Sequence, residues 1–250
     1  MNKHWIIAFL LGGFLVISGC ATSAFQQHYD RGLRFMDQEK YEEAQKELRE
    51  AVRLRPEDAW AHYQLGEAIT ERGNITDVPW EEYSKSEDLF RRTLKQKPKD
   101  IEALYGLGLS LGGQDKNDSA AATFQEVVRL KPDHLDAHFA LGRMYWKDGK
   151  YEEAEKACRD CLRLAPKNLP AYHNLALVLA FEGKYEESEK AYREILRLTP
   201  NEIIALMGLA EQLDAQKRRK EARPYWEKAL KYAKTQWEID RTKIRLAEPD

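Results

Sequence analysis

Residues Leu135 to Lys167, LDAHFALGRMYWKDGKYEEAEKACRDCLRLAPK, decide how this chain folds. Their apolar positions fall in two blocks at helical spacing: Phe139, Leu141, Met144 and Tyr145, then Tyr151, Ala154, Cys158, Cys161 and Leu164. The spacing predicts two antiparallel helices joined at Asp148-Gly149-Lys150. Gly149 supplies a left-handed turn residue, and Pro166 stops the second helix because it lacks an amide. A helix pair this short cannot cover its own apolar faces, so it must stack on copies of itself.

Those copies are present. The prolines that close each unit, Pro56, Pro98, Pro132, Pro166 and Pro200, are spaced by 42, 34, 34 and 34 residues. A small residue precedes each turn, as Gly32, Gly66, Gly108, Gly142, Ala176 and Ala210, where two helices must approach. After the turn comes a column of Tyr41, Tyr83, Asn117, Tyr151, Tyr185 and Arg219. The next column is Ala44, Ser86, Ala120, Ala154, Ser188 and Ala222, and a larger plug follows as Leu48, Phe90, Phe124, Cys158, Tyr192 and Trp226. On these columns the chain resembles the tetratricopeptide repeat family from about Phe25 to Gln236. The resemblance implies an all-α fold: an α-solenoid of six helix-turn-helix repeats, about 25–58, 59–100, 101–134, 135–168, 169–202 and 203–236. Residues 237–250 are expected to form a capping helix and tail, with Trp237, Ile239, Ile244 and Leu246 shielding the open end of the array.

Charged residues make up 33% of the chain and hydrophobic ones 43%, too polar for a polytopic membrane protein. A formal net charge of -2 argues against a general nucleic-acid surface. Residues 1–19 read as an export signal, with Lys3 ahead of an apolar run from Trp5 to Ile17 that is too short for an ordinary spanning helix. Ile17-Ser18-Gly19-Cys20 resembles the lipobox of bacterial lipoproteins. That resemblance implies acylation of Cys20 and a mature chain that starts there, lipid-held rather than spanning. Ala21, where the enterobacterial sorting rule places Asp in inner-membrane lipoproteins, implies the outer membrane facing the periplasm. Residues 20–24 form the tether; Ala21 to Ser23 give about 10 Å of reach, so the first repeat sits close to the headgroups. Ser23 and Gln26 could form a capping box at its first helix.

Two stretches depart from the repeat. Between Gly73 and Tyr83 the second unit inserts Asn74 to Glu82, and Asp77 followed by Pro79 and two glutamates predicts a second helix that begins early. Trp80 there is either a partner contact or, as the usual burial of tryptophan suggests, a cover over a neighbouring helix. The last turn, Lys217-Arg218-Arg219-Lys220, reads as a solvated turn among acids, with an anionic partner as the alternative.

In tetratricopeptide arrays the first helix of each unit lines a concave groove, so the resemblance identifies which side chains would meet a partner. One column is Tyr29, Tyr63, Tyr105, Phe139, His173 and Met207, and the position four residues on includes Arg143 and Leu177. Trp146, Lys147, Asn174 and Phe181 complete the set. The ladder is aromatic and apolar, which suits a peptide or helix held by contact area, with Arg143, Lys147 and Asn174 able to grip a carboxylate or carbonyls. It lacks the basic columns that grip chaperone tails, since Asp30, Gln64, Gly106, Ala140 and Gly208 stand in one of them.

Other chemistry is faint. Cys158 and Cys161 form a CxxC inside a helix, in core columns; a thiol or metal role is the weaker alternative to packing. His28, His62 and His138 share one repeat column, which suggests a structural role. Glu-Glu pairs open second helices, at Glu42-Glu43, Glu152-Glu153 and Glu186-Glu187, where they complement the helix dipole. No catalytic residue, metal site, cofactor or small-molecule substrate is expected. The expectation is a lipid-anchored adaptor that binds a protein segment and supports an envelope assembly. Its architecture is similar to the pilotin lipoproteins of type IV pilus biogenesis; a scaffold for peptidoglycan enzymes is the alternative.

Overall fold

A computed structural model describes residues 24–72 and 79–248. The described residues form thirteen helices and no strand, an all-α solenoid of about six helix pairs with a cap. Cys20, Ser23 and the insertion residues 73–78 lie outside the described residues, so the lipobox and the Ser23 capping box are not seen. The chain divides into two compact units after Thr123.

The first unit holds α1 (24–37), α2 (Tyr41–Leu54), α3 (Ala59–Arg72), α4 (Pro79–Gln96), α5 (Ile101–Gly113) and the start of α6 (Asn117–Leu130). The second holds the rest of α6, then α7 (Leu135–Lys147), α8 (Tyr151–Leu164), α9 (Leu169–Phe181), α10 (Tyr185–Leu198), α11 (Ile203–Ala215), α12 (Arg219–Tyr232) and α13 (Gln236–Ala247). First and second helices of a pair differ for a physical reason. The second helices bury one stripe, such as Ala154, Ala157, Cys158 and Cys161 in α8. An inner first helix is wedged between two second helices, so α9, packed on α8 and α10, buries Ala171, Leu175, Ala176, Val178 and Leu179. As read from the insertion, α4 starts early, at Pro79.

Helix starts follow the repeat. Asp58, Asp100, His134, Asn168 and Glu202 each accept an amide hydrogen bond from the first turn of the next first helix. Each cap of this kind is worth about 1 kcal/mol. His62 and His138 meet the carbonyls of Pro56 and Pro132 through Nε2, at 3.0 and 2.9 Å, and so tie a first helix to the loop before it. Their shared column is structural, as the sequence suggests.

The turns inside the pairs share a left-handed residue: Glu39, Asp115, Gly149, Gly183 and Lys217, with φ of 58, 55, 71, 74 and 60°. Only glycine takes that conformation without a Cβ clash, which costs other residues about 1–2 kcal/mol. Lys217→Gly is therefore expected to stabilise the second unit by about 0.5–1 kcal/mol, the gain reduced by the greater chain entropy of glycine when unfolded. Urea denaturation of the two proteins checks it.

Ring size dictates one further column. A Cβ on Gly106 would lie 2.2 Å from Phe90, and one on Gly208 would lie 2.3 Å from Tyr192. At these two positions the glycine is the room that the preceding ring needs, so no basic side chain of the kind a chaperone-tail groove uses fits there.

Two expectations need correction. α13 does cap α12, but it packs through Thr242, which is buried, and through half-buried Ile239 and Leu246. Trp237 and Ile244 face out, at 55% and 64% exposure, with the Arg241 guanidinium 5.3 Å over the Trp237 ring and paired with Glu211. The basic turn is also not simply solvated. Arg218 reaches Glu189 at 2.7 Å and Glu221 at 2.8 Å, and Arg219 reaches Asp214 at 2.8 Å.

Candidate functional site

α7 and α9 lie side by side in the second unit, each presenting the face that the repeat assigns to a partner. On α7 that face holds Phe139, Arg143 and Trp146 at successive turns; on α9 it holds His173, Leu177 and Phe181. Trp146, Leu177 and Phe181 are exposed, at 37%, 39% and 59%. Their rings are gathered: Trp146 meets Phe181 edge-on with centroids 6.2 Å apart, and Tyr151 stacks on the other side of Phe181 at 5.5 Å and 10°. Tyr151, the first residue of α8, belongs to the patch although the sequence reading leaves it in a packing column.

The helix ends explain the gathering. Trp146 and Phe181 stand in the last turns of α7 and α9, and Tyr151 follows a three-residue turn closed by left-handed Gly149. That turn folds the start of α8 back beside the end of α7. Offset and edge-on ring pairs are favoured over face-to-face ones, so the patch is ordered before anything docks.

Cations border it. Arg143 is exposed and makes no ion pair among the described residues. Lys150 is 3.5 Å from Asp148, and Lys184 bridges Glu155 at 2.7 Å and Glu182 at 3.2 Å. Glu155 is half-buried, which would raise its pKa, yet the Lys184 and Arg159 hydrogen bonds hold it below the usual carboxylate range. Glu87 and Glu189 play the same part elsewhere, joining an arginine on their own helix to the turn cation of the next repeat. These staples span about 28 residues of sequence, and no local pattern signals them.

His173 is half-buried, 3.7 Å from Glu202 and edge-on to Tyr192. Burial lowers its pKa below the ordinary histidine value against the pull of Glu202. The Asn174 Nδ2 is buried without a hydrogen-bond acceptor, so it is not presented at the surface of that face. Met207 is 3% exposed inside the core around α11 and α12, so it backs the wall instead of lining it. Lys147 is exposed at the end of α7.

In the first unit the tyrosines are spent on packing. Tyr63 is 9% exposed and wedged between Trp60 and Tyr83, and burial together with Glu67 pushes its hydroxyl far up. Tyr83 donates to Glu67 at 2.5 Å. Tyr29 is half-buried and stacked on Phe25; Tyr105 is half-buried with its ring 6.4 Å from Trp60. The column is therefore sealed at α3 and half-buried at α1, α5, α7 and α9, and the exposed rings of the α7/α9 face, Trp146 and Phe181, stand further along those helices. Trp80 is 49% exposed, so it is not the closed cover that tryptophan burial suggests.

The arrangement supplies contact area and an exposed cation, Arg143. Cys158 and Cys161 are free thiols buried in the core, with pKa values pushed up to about 12 and about 11 by burial. Both stay protonated through neutral pH, so iodoacetamide at pH 8 is expected to modify neither until denaturant is added. Intact-protein mass spectrometry reads the result. Among the described residues no group of three or more His, Cys, Asp or Glu could hold a metal ion, and no helix is long and apolar enough to cross a membrane.

Sequence profiles of the tetratricopeptide repeat match residues 32–73, 105–168 and 170–202. No curated protein matches the chain in sequence. Among solved structures it is similar to MamA from Desulfovibrio magneticus RS-1, with TM-score 0.59 and 21% identity over 70% of this chain and 94% of that one. It is likewise similar to a tetratricopeptide repeat protein from Parabacteroides merdae ATCC 43184, with TM-score 0.59 and 17% identity over 90% of this chain and 86% of that one. A third is YrrB, described as a TPR protein with an unusual peptide-binding site, with TM-score 0.59 and 16% identity over 79% of this chain and 97% of that one. At these identities the structures speak for the fold alone. The three profile matches together cover more than half of the chain and fall on the helix pairs described above, and the chain is a tetratricopeptide-repeat protein.

Proposed function

We propose that this protein is an adaptor whose second unit docks a segment of a partner protein on the α7/α9 face. The observation that carries the reading is the pair of exposed rings, Trp146 and Phe181, stacked with half-buried Tyr151 beside Leu177 and Arg143. Large rigid side chains gathered on a surface give contact area at little entropic cost, and such residues dominate binding at protein interfaces. Exposed Arg143 then selects a carboxylate or backbone carbonyls on the segment.

The finer reading comes from the sequence. The lipobox-like Ile17-Ser18-Gly19-Cys20 supports acylation at Cys20 and a place in the bacterial envelope, with Ala21 pointing to the outer membrane. The anchor would fix the location, and the docking face would recruit or stabilise an assembly there. Type IV pilus biogenesis, by similarity of architecture to its pilotins, is the machine proposed first. A scaffold for peptidoglycan enzymes uses the same face with a different partner. The test is capture of a partner from solubilised envelopes by the immobilised protein. Capture lost in the Trp146→Ala, Phe181→Ala double variant supports the reading, and capture equal to wild type refutes it.

A further inference from the structure

The first unit is charged unevenly along its helix axes. Arg55, just past α2, lies with its guanidinium 4.3 Å over the ring of Phe25 at the start of α1. The end of α4 joins the same edge, because Arg92 pairs at 2.9 Å with Glu57 in the loop between α2 and α3. The start of α1, the loop after α2 and the loop after α4 thus share one edge of the unit, and that edge carries Arg53, Arg55, Arg92, Lys95, Lys97 and Lys99. Most of its acids are engaged, although Glu102 in the first turn of α5 is exposed and makes no ion pair among the described residues. Glu57 pairs with Arg92, Glu50 with Arg53 at 2.9 Å, and Asp58 and Asp100 cap α3 and α5. Lys95, Lys97 and Lys99 are exposed and make no ion pair among the described residues. The opposite edge, at the turn after α1 and the start of α4, carries Asp37, Glu39, Glu42, Glu43 and Glu81 against Lys40 and Arg72. The whole-chain net charge of -2 conceals this separation.

We infer that the basic edge of the first unit rests on an anionic phospholipid surface. The inference rests on the lipid-anchor reading above. Four peptide links join Cys20 to residue 24, which lets the start of α1 stand no more than about 14 Å from the acylated residue. An anchor there draws the edge that holds residue 24 to the headgroups. The two edges are about 20 Å apart along helices of this length, which is two Debye lengths or more at physiological ionic strength. The lipid field therefore acts on Lys95, Lys97 and Lys99 and leaves the acidic edge outside its reach. Each lysine near an anionic leaflet strengthens the association about fivefold.

The test uses the processed, lipidated protein in vesicles of phosphatidylcholine with phosphatidylglycerol and in vesicles of phosphatidylcholine alone. A fluorophore is attached at one end or the other of α4, through Gln96→Cys or Glu81→Cys; the native Cys158 and Cys161 are buried and do not compete. With a quencher on the lipid headgroups, the label at residue 96 should be quenched several-fold more than the label at residue 81. The contrast should shrink in vesicles of phosphatidylcholine alone, in high salt and in a Lys95→Glu, Lys99→Glu background whose circular dichroism is unchanged. Equal quenching of the two labels in anionic vesicles, or a contrast untouched by the charge reversal, overturns the inference. Flotation of the same samples separates the two readings. Protein that does not float with vesicles refutes the anchor and the inference with it, whereas floating protein with equal quenching refutes only the orientation.

Discussion

Replacing Trp146 and Phe181 together by alanine is expected to weaken docking of the partner segment roughly 100- to 1,000-fold, with no change in helix content. Buried aromatic anchors at protein interfaces contribute about 2 kcal/mol or more each, but rings in contact do not contribute independently. Trp146 and Phe181 touch at 6.2 Å, so the double variant should cost less than the sum of the two single ones. Tyr151→Ala removes only the stacking support for Phe181 and should fall between wild type and Phe181→Ala. Trp237→Ala provides the comparison: that ring is as exposed as Phe181 but stands on α13, and its loss should leave docking unchanged. Calorimetric titration with the captured segment measures all five variants.

The largest effect on stability is expected at Trp226. It is fully buried against α11, in the column that holds Leu48 or Phe90 elsewhere, and its Nε1 donates to Asp214 Oδ2 at 2.9 Å. Trp226→Ala should destabilise the second unit by about 3–5 kcal/mol, because it leaves a cavity that the helices can close only in part. It also leaves Arg219 as the main remaining partner of Asp214 Oδ2. Trp226→Phe keeps most of the volume and loses the hydrogen bond, so it should cost about 1–2 kcal/mol. In a stacked array each repeat leans on its neighbour, and the loss should appear as an earlier unfolding step of the second unit in urea. A midpoint unchanged in Trp226→Ala would show that this end of the array adds little.

Much of the fold is legible in the residues because its devices repeat. Pro166 and its counterparts mark the period, Gly149 marks the turn, and Pro79 with its two glutamates marks the early start of α4. Cys158 and Cys161 fall in core columns and are core residues. The functional surface is less legible, because exposure depends on neighbours that the period does not specify. Tyr63 and Phe139 occupy the same column. Tyr63 is sealed because Trp60 and Tyr83 close over it, whereas Phe139 stays half-open. The outward turn of Trp237 follows from the Arg241 pairing with Glu211, thirty residues earlier. The committed state of Arg218 depends on Glu189 at a similar distance. Spacing within one repeat carries no trace of either contact.

On the proposed reading the partner sits on the α7/α9 face and on no other aromatic surface of the second unit. A photo-crosslinking amino acid placed at residue 181 and, separately, at residue 237 tests this in intact cells. One discrete adduct with a single partner polypeptide is expected from residue 181, abolished when Trp146 is alanine, and none from residue 237. Adducts of equal yield from both positions, or a residue 181 adduct indifferent to Trp146, would contradict it.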